Sequence, residues 1–586
     1  MSYRIAGGDF DSAGAATRQL KEQLVRIGVG AGVIRRVMIA SYEAEMNVVI
    51  HARTGTLWAR LEGQTLDLEV ADEGPGIPDV EKALTEGWST ASEKARALGF
   101  GAGMGLPNIR RNSDYFEIET RIGRGTRVRS RIRLEGLPAA SDGGVAEEGT
   151  AEEWPALEAG KCRRCLRCIF ACPAGALRVH ESGPSLIREL CVGCTACATA
   201  CTSGVYGLPD GSTIAARGTG LPAPDGAVLV LPRAFLCSFG AEAGPDRVLE
   251  RLSSMGFAAV RFTEEWEEAV LTAARAAADA AVPGDAPVIP PVCPAVVALV
   301  ESRFPSLIPS LGPWMTPIEA AGEEFPLQPV VVVAACPSQY GRARASSLSG
   351  RLTLLSPRTL TRVVRDGLDA APARSCDLKG RAPCGDPSAP FTACVEPEQA
   401  QPGTLRVTGV RHVLTVLAAA EAGALAGTRL LDLSLCDTGC SGSPLLCADP
   451  YLAAARALSS ETGAAGETVP RRRRALAGRG ETVAAVTDSA RALAVAVNRR
   501  LPWSQRPGLR LDPDMGKAIQ KLAAIDARAR ALPGRDCGAC GAPTCAAFAE
   551  DVVLGRTAQA CPHAGLDAEP RAEPRTDPDM PKEDCP

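Results

Sequence analysis

The chain of 586 residues carries almost no net charge, −4 with 23% charged residues, so neither nucleic acid nor an anionic membrane is indicated as its main partner. It has no long apolar run: stretches such as Val330 to Cys336 fall far short of the roughly 20 residues a membrane helix needs. The start, MSYRIAGGDFDSAG, lacks an apolar core followed by a small-residue cleavage site. These absences set the expectation of a cytoplasmic protein in a reducing compartment, where clustered cysteines are metal ligands or redox groups rather than staples. Residues 1 to about 135 contain no cysteine at all, so that block cannot hold a metal through thiolates. At roughly 100–200 residues per domain, the length calls for several units.

Cysteine is abundant further on, 22 residues in all, and its spacing is informative. Cys162-x2-Cys165-x2-Cys168-x3-Cys172-Pro173 is followed by Cys191-x2-Cys194-x2-Cys197-x3-Cys201. This is the bacterial ferredoxin pattern for two 4Fe–4S clusters, in which the fourth cysteine of each run serves the other cluster. Cys162, Cys165, Cys168 and Cys201 are expected to hold one cluster, and Cys191, Cys194, Cys197 and Cys172 the other. Zinc is the competing reading, but zinc sites rarely use three cysteines at x2 spacing and a fourth at x3. Near the C-terminus, Cys537, Cys540 and Cys545 precede a helix-like stretch, Ala547 to Gly555, and then Cys561. This resembles the four-cysteine 4Fe–4S module of electron-transfer and corrinoid iron–sulfur proteins, with a zinc ribbon as the alternative.

Four cysteines of the middle block, Cys293, Cys336, Cys436 and Cys440, each follow a strand-like or apolar run. The surrounding segments, Ile289 to Pro294 with Phe304 to Pro309, Ala335 to Ser338, and Cys436-x3-Cys440-x-Gly442, resemble the three active-site loops of iron-only hydrogenases. That resemblance implies a cubane on the four cysteines, with Cys440 the candidate bridge to a diiron subcluster whose presence is left open. It also implies a proton relay that this chain lacks. The relay thiol is replaced by Val292, a lysine by Gln339 and a glutamate by Arg342; valine carries no proton and arginine stays charged. Efficient hydrogen turnover is therefore not expected. Buried thiols packing as small hydrophobes are the plainer alternative. Cys237, Cys376, Cys384, Cys394, Cys447 and Cys585 fit no pattern.

The N-terminal block has a different chemistry. Glu43 and Asn47 stand one turn apart on a helical stretch, Val37 to His51. The run Val70 to Ile77 passes from a strand through Asp72, Gly74 and Gly76 into a tight turn; Gly101, Gly103 and Gly105 precede a helix; and Gly123-x-Gly125-Thr126 precedes a last strand. Backbone N–H groups at such a loop and helix start suit phosphates. In this order the motifs resemble the ATP-binding fold of gyrase and histidine kinases. Without a phospho-accepting histidine helix, and with Gly87-Trp88-Ser89-Thr90, they look most like the anti-sigma-factor serine/threonine kinases. The resemblance implies Glu43 as general base, Asn47 on Mg²⁺, Asp72 on adenine, and Gly74, Gly76, Gly101, Gly103, Gly105 and Thr126 around ATP. A solvated helix carboxylate is the plain reading of Glu43, and His51 is read as structural.

The expected architecture is multidomain α/β and α+β. It comprises an N-terminal α/β sandwich ATP-binding domain (1–135), a linker (136–157), a dicluster ferredoxin domain (158–210) and a hydrogenase-like α/β domain (225–455). A linker with helices (456–527, including the solvated Arg471 to Arg474), a small 4Fe–4S domain (528–565) and a disordered tail (566–586) complete it. Three 4Fe–4S clusters, a fourth in the hydrogenase-like domain, ATP and Mg²⁺ are the implied cofactors. The expected function is a redox- or hydrogen-sensing regulator acting on an anti-sigma antagonist or similar regulatory partner and exchanging electrons with redox partner proteins. A serine/threonine protein kinase or ATPase activity is left open. The rival readings are an electron-transfer or hydrogenase-type oxidoreductase with a docking ATPase-fold domain, and an ATP-driven assembly scaffold.

Overall fold

The computed structural model describes residues 1–10, 12–62, 65–90, 103–134, 155–208, 226–239, 243–281, 286–346, 352–369, 403–425, 427–446, 449, 497–506, 511–512 and 514–564. Gly101, Cys376, Cys384, Cys394, Cys447, Cys585, the arginine run and the tail lie outside them.

In the first block, strands β1 (Ser2–Ala6), β2 (Thr54–Glu62), β3 (Thr65–Asp72), β4 (Tyr115–Arg121) and β5 (Gly125–Arg133) form one antiparallel sheet in the order β1-β2-β3-β5-β4. Residues of β2 and β3 alternate between buried and more open positions, as a sheet with one covered face requires. Helices Ala15–Arg26 and Ala31–His51 cover that face through Leu20, Leu24, Ile34, Val37 and Val48 against Leu57, Leu66 and Ile132. Helix Ala15–Arg26 has no side-chain cap of its own. The buried Glu45 caps it from the neighbouring helix, accepting from Ala16 N (3.2 Å), Thr17 N (2.9 Å) and Thr17 Oγ1 (2.7 Å).

The second block is small. Strands β6 (Ala156–Leu157) and β9 (Tyr206–Gly207) pair at its ends, β7 (Leu177–His180) and β8 (Gly183–Leu186) form a hairpin, and two short helices, Arg167–Ala171 and Ala196–Ala200, lie between them. Because β6 pairs with β9, the ferredoxin unit begins inside the segment expected to be linker.

The third block is layered α/β. Strands β10 (Val228–Leu231), β11 (Ala259–Phe262), β12 (Val330–Val333) and β13 (Leu352–Leu355) make a parallel sheet in the order β11-β10-β12-β13. Every residue of β10 and β12 is buried, as expected where helices cover both faces. A second parallel pair, β14 (Thr404–Thr408) and β15 (Leu430–Ser434), is extended by a bridge between Val288 and Leu430, and strand β16 (Asp437–Cys440) follows.

The last block departs from the expected boundaries. The division at 527/528 falls inside one helix, Met515–Arg530. Leu511, Ala518, Leu522, Ile525 and Ala549 join the same core as the first block. Residues 497–506 pack into the third block, with Trp503 Nε1 donating to Gly312 O at 2.7 Å. Helix Cys545–Val553 starts at the Thr544 cap. Among the described residues, no helix is long and apolar enough to cross a membrane.

Candidate functional site

Two of the four candidate cysteines of the third block sit where parallel strands end. Cys336 follows β12, Cys436 follows β15, Cys440 closes β16, and Cys293 precedes helix Pro294–Arg303. Loops at the carboxyl ends of parallel strands are the usual ligand positions of α/β sheets. The four thiols are buried near one another, for each of Cys336, Cys436 and Cys440 feels the charge of others in the set. Burial raises all four, Cys336 to about 12. Four such thiols become thiolates only against strong positive charge, which an iron–sulfur core supplies. The buried Thr438 Oγ1, between Cys436 and Cys440, has no hydrogen-bond partner, and a cluster or thiolate sulfur would accept from it.

The ferredoxin cysteines separate crosswise. Cys162, Cys165, Cys168 and Cys201 line one cup. Cys172 is grouped electrostatically with Cys191, Cys194 and Cys197, whose thiols burial raises, Cys197 to about 12. In the first cup the buried Tyr206 hydroxyl lies beside Cys168 without a partner of hydrogen-bond geometry, again a donor suited to sulfur. Cys537, Cys540, Cys545 and Cys561 line a third cup with Arg535 and His563.

These four quartets lie in a chain. Gly541, at φ +83°, has its missing Cβ position 2.1 Å from Val179 O, and Val179 N donates to Gly541 O at 2.9 Å. Any side chain there would push the C-terminal cup off the first ferredoxin cup. Cys197 of the second quartet feels the charge of Cys168 in the first cup. Between Cys191 and Cys194, Gly193 brings its backbone against Ser338, two residues past Cys336. Arg506 bonds both the Cys191 carbonyl (2.8 Å) and, by its backbone N–H, Glu301 O (3.2 Å) across the same seam.

The residues that replace the hydrogenase relay are occupied elsewhere. Val292 is buried; the Gln339 side chain accepts from Ala335 N at 2.6 Å; Arg342 pairs with Glu301 at 2.9 Å and lies over Trp503. One carboxylate that motif comparison passed over, that of Glu267, acts on the thiols of Cys293 and Cys440. Glu264 and Glu267 lie one turn apart on helix Thr263–Ala280. Burial first, then the nearby Glu264 and Asp432, push Glu267 up to about 8. Their i, i+3 spacing was the available signal.

In the first block, Glu43 and Asn47 share the helix face that meets helix Gly105–Arg111: the missing Cβ of Gly105 would lie 3.3 Å from Asn47 Oδ1 and 3.4 Å from Glu43 Oε2. Asn108 Nδ2 donates to Glu43 Oε1 at 2.7 Å. Burial raises the Glu43 carboxyl, and the Asn108 bond opposes it. Asp72 Oδ1 accepts from Gly74 N (2.7 Å) and Thr126 N (3.3 Å), so Thr126 and Gly74 are drawn to one carboxylate. Gly103, at φ +76°, presses on the Gly87–Trp88 turn. Gly76, one of the glycines the resemblance places around ATP, has its missing Cβ position 2.5 Å from the Arg121 carbonyl oxygen. Asn108, absent from the motif reading, is the added member of this group.

Family comparison agrees with this division. Models match for the histidine kinase-, DNA gyrase B- and HSP90-like ATPases over residues 32–136, the 4Fe-4S dicluster domain over 161–205, the C-terminal domain of the iron only hydrogenase large chain over 228–325, and an Fe-S cluster family over 532–563. The serine/threonine-protein kinase RsbT of Bacillus subtilis is 30% identical over 120 residues, 20% of this chain and 84% of RsbT. The anti-sigma F factor of a Thermoanaerobacter species is 36% identical over 101 residues, 16% of this chain and 67% of that protein. Through its N-terminal domain, the chain belongs to the anti-sigma serine/threonine kinase family. The remainder makes it a fusion of that ATP-binding module with dicluster ferredoxin, hydrogenase-like and C-terminal iron–sulfur modules. The [FeFe]-hydrogenase HydA1 from Chlamydomonas reinhardtii, in a variant form, is 13% identical, covering 42% of this chain and 87% of that one with a TM-score of 0.30. That superposition is loose, and the hydrogenase-like assignment rests on the family match.

Proposed function

We propose that the chain is a redox-responsive regulator, in which electrons held on the iron–sulfur modules set the activity of the ATP-binding module toward a regulatory protein. One observation carries this reading. Helix Cys545–Val553 begins with a candidate cluster ligand, Cys545, and presents two adjacent acids to two different modules. Glu550 pairs with Arg26 of the kinase-like domain, and Asp551 pairs with Arg178 of the ferredoxin domain in a fully buried contact. A change of charge or position at the C-terminal cluster therefore has a short mechanical route to helix Ala15–Arg26.

ATP with Mg²⁺ would supply the phosphoryl group. Asn47 would face the metal, the backbone around Gly103 and Gly105 the phosphates, and Asp72 the base, while Glu43 would take the proton from a serine or threonine hydroxyl of the partner. Cys162, Cys165, Cys168 and Cys201, then Cys172, Cys191, Cys194 and Cys197, then Cys537, Cys540, Cys545 and Cys561 would hold three clusters, and Cys293, Cys336, Cys436 and Cys440 a fourth. The absence of a relay at Val292, Gln339 and Arg342 supports sensing over hydrogen turnover.

The test is to load the clusters anaerobically and measure nucleotide affinity and ATP turnover in the oxidised and dithionite-reduced states. A difference that shrinks in Glu550→Gln is expected. Identical behaviour in both states would sink the reading. The second reading, a hydrogen oxidoreductase, is favoured by the buried carboxyl of Glu267, whose charge acts on Cys293 and Cys440; vigorous hydrogen evolution from a reduced dye would establish it.

A further inference from the structure

We propose that a small acidic one-electron carrier protein docks over the common rim of the two outer cups, the one holding Cys165 and the one holding Cys537. This deepens the regulatory reading by naming where electrons enter. The cups share a wall: Gly538 lines the C-terminal cup and packs on Leu166, which lines the first ferredoxin cup, with its missing Cβ 3.4 Å from Leu166 Cδ1. Each cup turns one thiol to solvent. Cys165 and Cys537 are exposed, and none of the eight cysteines of the two inner quartets is. A carrier at this rim thus approaches two clusters closely and at once, whereas among the described residues no cysteine of the inner quartets is exposed.

The chemistry of the rim selects the carrier. Arg163 and Arg167 line the first cup, Arg535 lines the second, and these three and Arg164 are all exposed. Phe170 stands at the wall, 57% exposed and against Gly538. An exposed aromatic on a rim that also carries exposed guanidinium groups is the pattern of a protein contact whose partner brings carboxylates. The acids closest in sequence are spent internally: Asp536 accepts from Cys545 N at 2.7 Å, and Glu158 pairs with Lys161 at 2.7 Å. The step is an outer-sphere transfer. The carrier loses one electron, the outer cluster gains it, and no bond or proton is exchanged.

The test uses the full, cluster-loaded chain and a prereduced acidic 2Fe–2S ferredoxin, with cluster reduction followed by stopped-flow absorbance. For the native chain the second-order rate should fall steeply with salt. In the triple variant Arg163→Glu, Arg167→Glu, Arg535→Glu it should fall about tenfold or more relative to the rate with dithionite. Iron and sulfide content checks that the cups survive. Arg164→Glu, which lines neither cup, is the second variant and should slow the ferredoxin reaction alone. Rates insensitive to salt or to both variants would overturn the proposal. The outcome is separable from the coupling idea: a carrier that reduces the clusters without altering nucleotide binding sinks the coupling and leaves the dock, and the converse pattern does the reverse.

Discussion

Glu45 is almost completely buried and accepts three bonds from the start of a helix that has no cap of its own. Removing it leaves two backbone donors unpaired, so Glu45→Ala should cost about 1–3 kcal/mol, read as faster amide exchange in Ala15–Arg26. Unchanged exchange would refute the capping role. Glu43, two positions earlier, is under the opposite pressure. Burial holds its carboxyl above the usual range, so the folded state binds a proton that the unfolded state has released, and stability falls as pH rises through that window. Glu43→Gln should therefore raise the unfolding midpoint at neutral pH. Asn108→Ala, which removes the bond favouring the charged form, should move the Glu43 titration still higher in a carboxyl NMR experiment; a downward move would contradict this account. That Glu43 and Asn47 share one helix face was legible because their spacing is local. Asn108, Glu45 and Glu267 were not, since each acts through a partner brought near only by the tertiary fold.

At the scale of elements, helix Cys545–Val553 is the most constrained. Arg178 and Asp551 are both buried, at 4% and 1% side-chain exposure, and Arg178 also bonds the carbonyls of Gly175 and Leu177. Breaking one partner of such a pair leaves a buried charge, so Asp551→Ala should cost about 3–5 kcal/mol locally. Replacing both with Asp551→Leu and Arg178→Met should recover much of that. Hydrogen exchange across 177–180 and 545–553 would show it, and a double variant no better than the single would argue against the charge explanation. The helix itself was readable from Ala547 to Gly555, and the cysteine runs around it from their spacing alone. Its two acidic contacts were not, because their partners lie hundreds of positions away along the chain. The same holds for Gly193 and Gly541, which read as turn glycines yet are the places where one cluster module touches the next.

At the scale of the whole molecule, the kinase-like domain does not close its own core. Leu511, Leu522 and Ile525, from a region that reads as linker, are buried in it to 6%, 3% and 2% exposure. Leu511 N donates to Arg26 O at 3.0 Å, and Gln23 bonds Asp526 at 3.2 Å. On the other side, Lys21 is buried between Glu421 of the hydrogenase-like domain and the Phe304 ring, 4.6 Å away. Helix Ala15–Arg26 is thus clamped by both iron–sulfur ends of the chain. Burying each aliphatic side chain contributes about 1.5–3 kcal/mol, so the three together supply on the order of 5 kcal/mol, comparable with the whole stability of a small domain. A chain ending at residue 510 should accordingly lose exchange protection in Ala15–Arg26 and β1 while the hydrogenase-like sheet keeps its own. If Ala15–Arg26 stayed as protected as in the full chain, the kinase-like fold would be self-sufficient, and the C-terminal module could not act on it through this core.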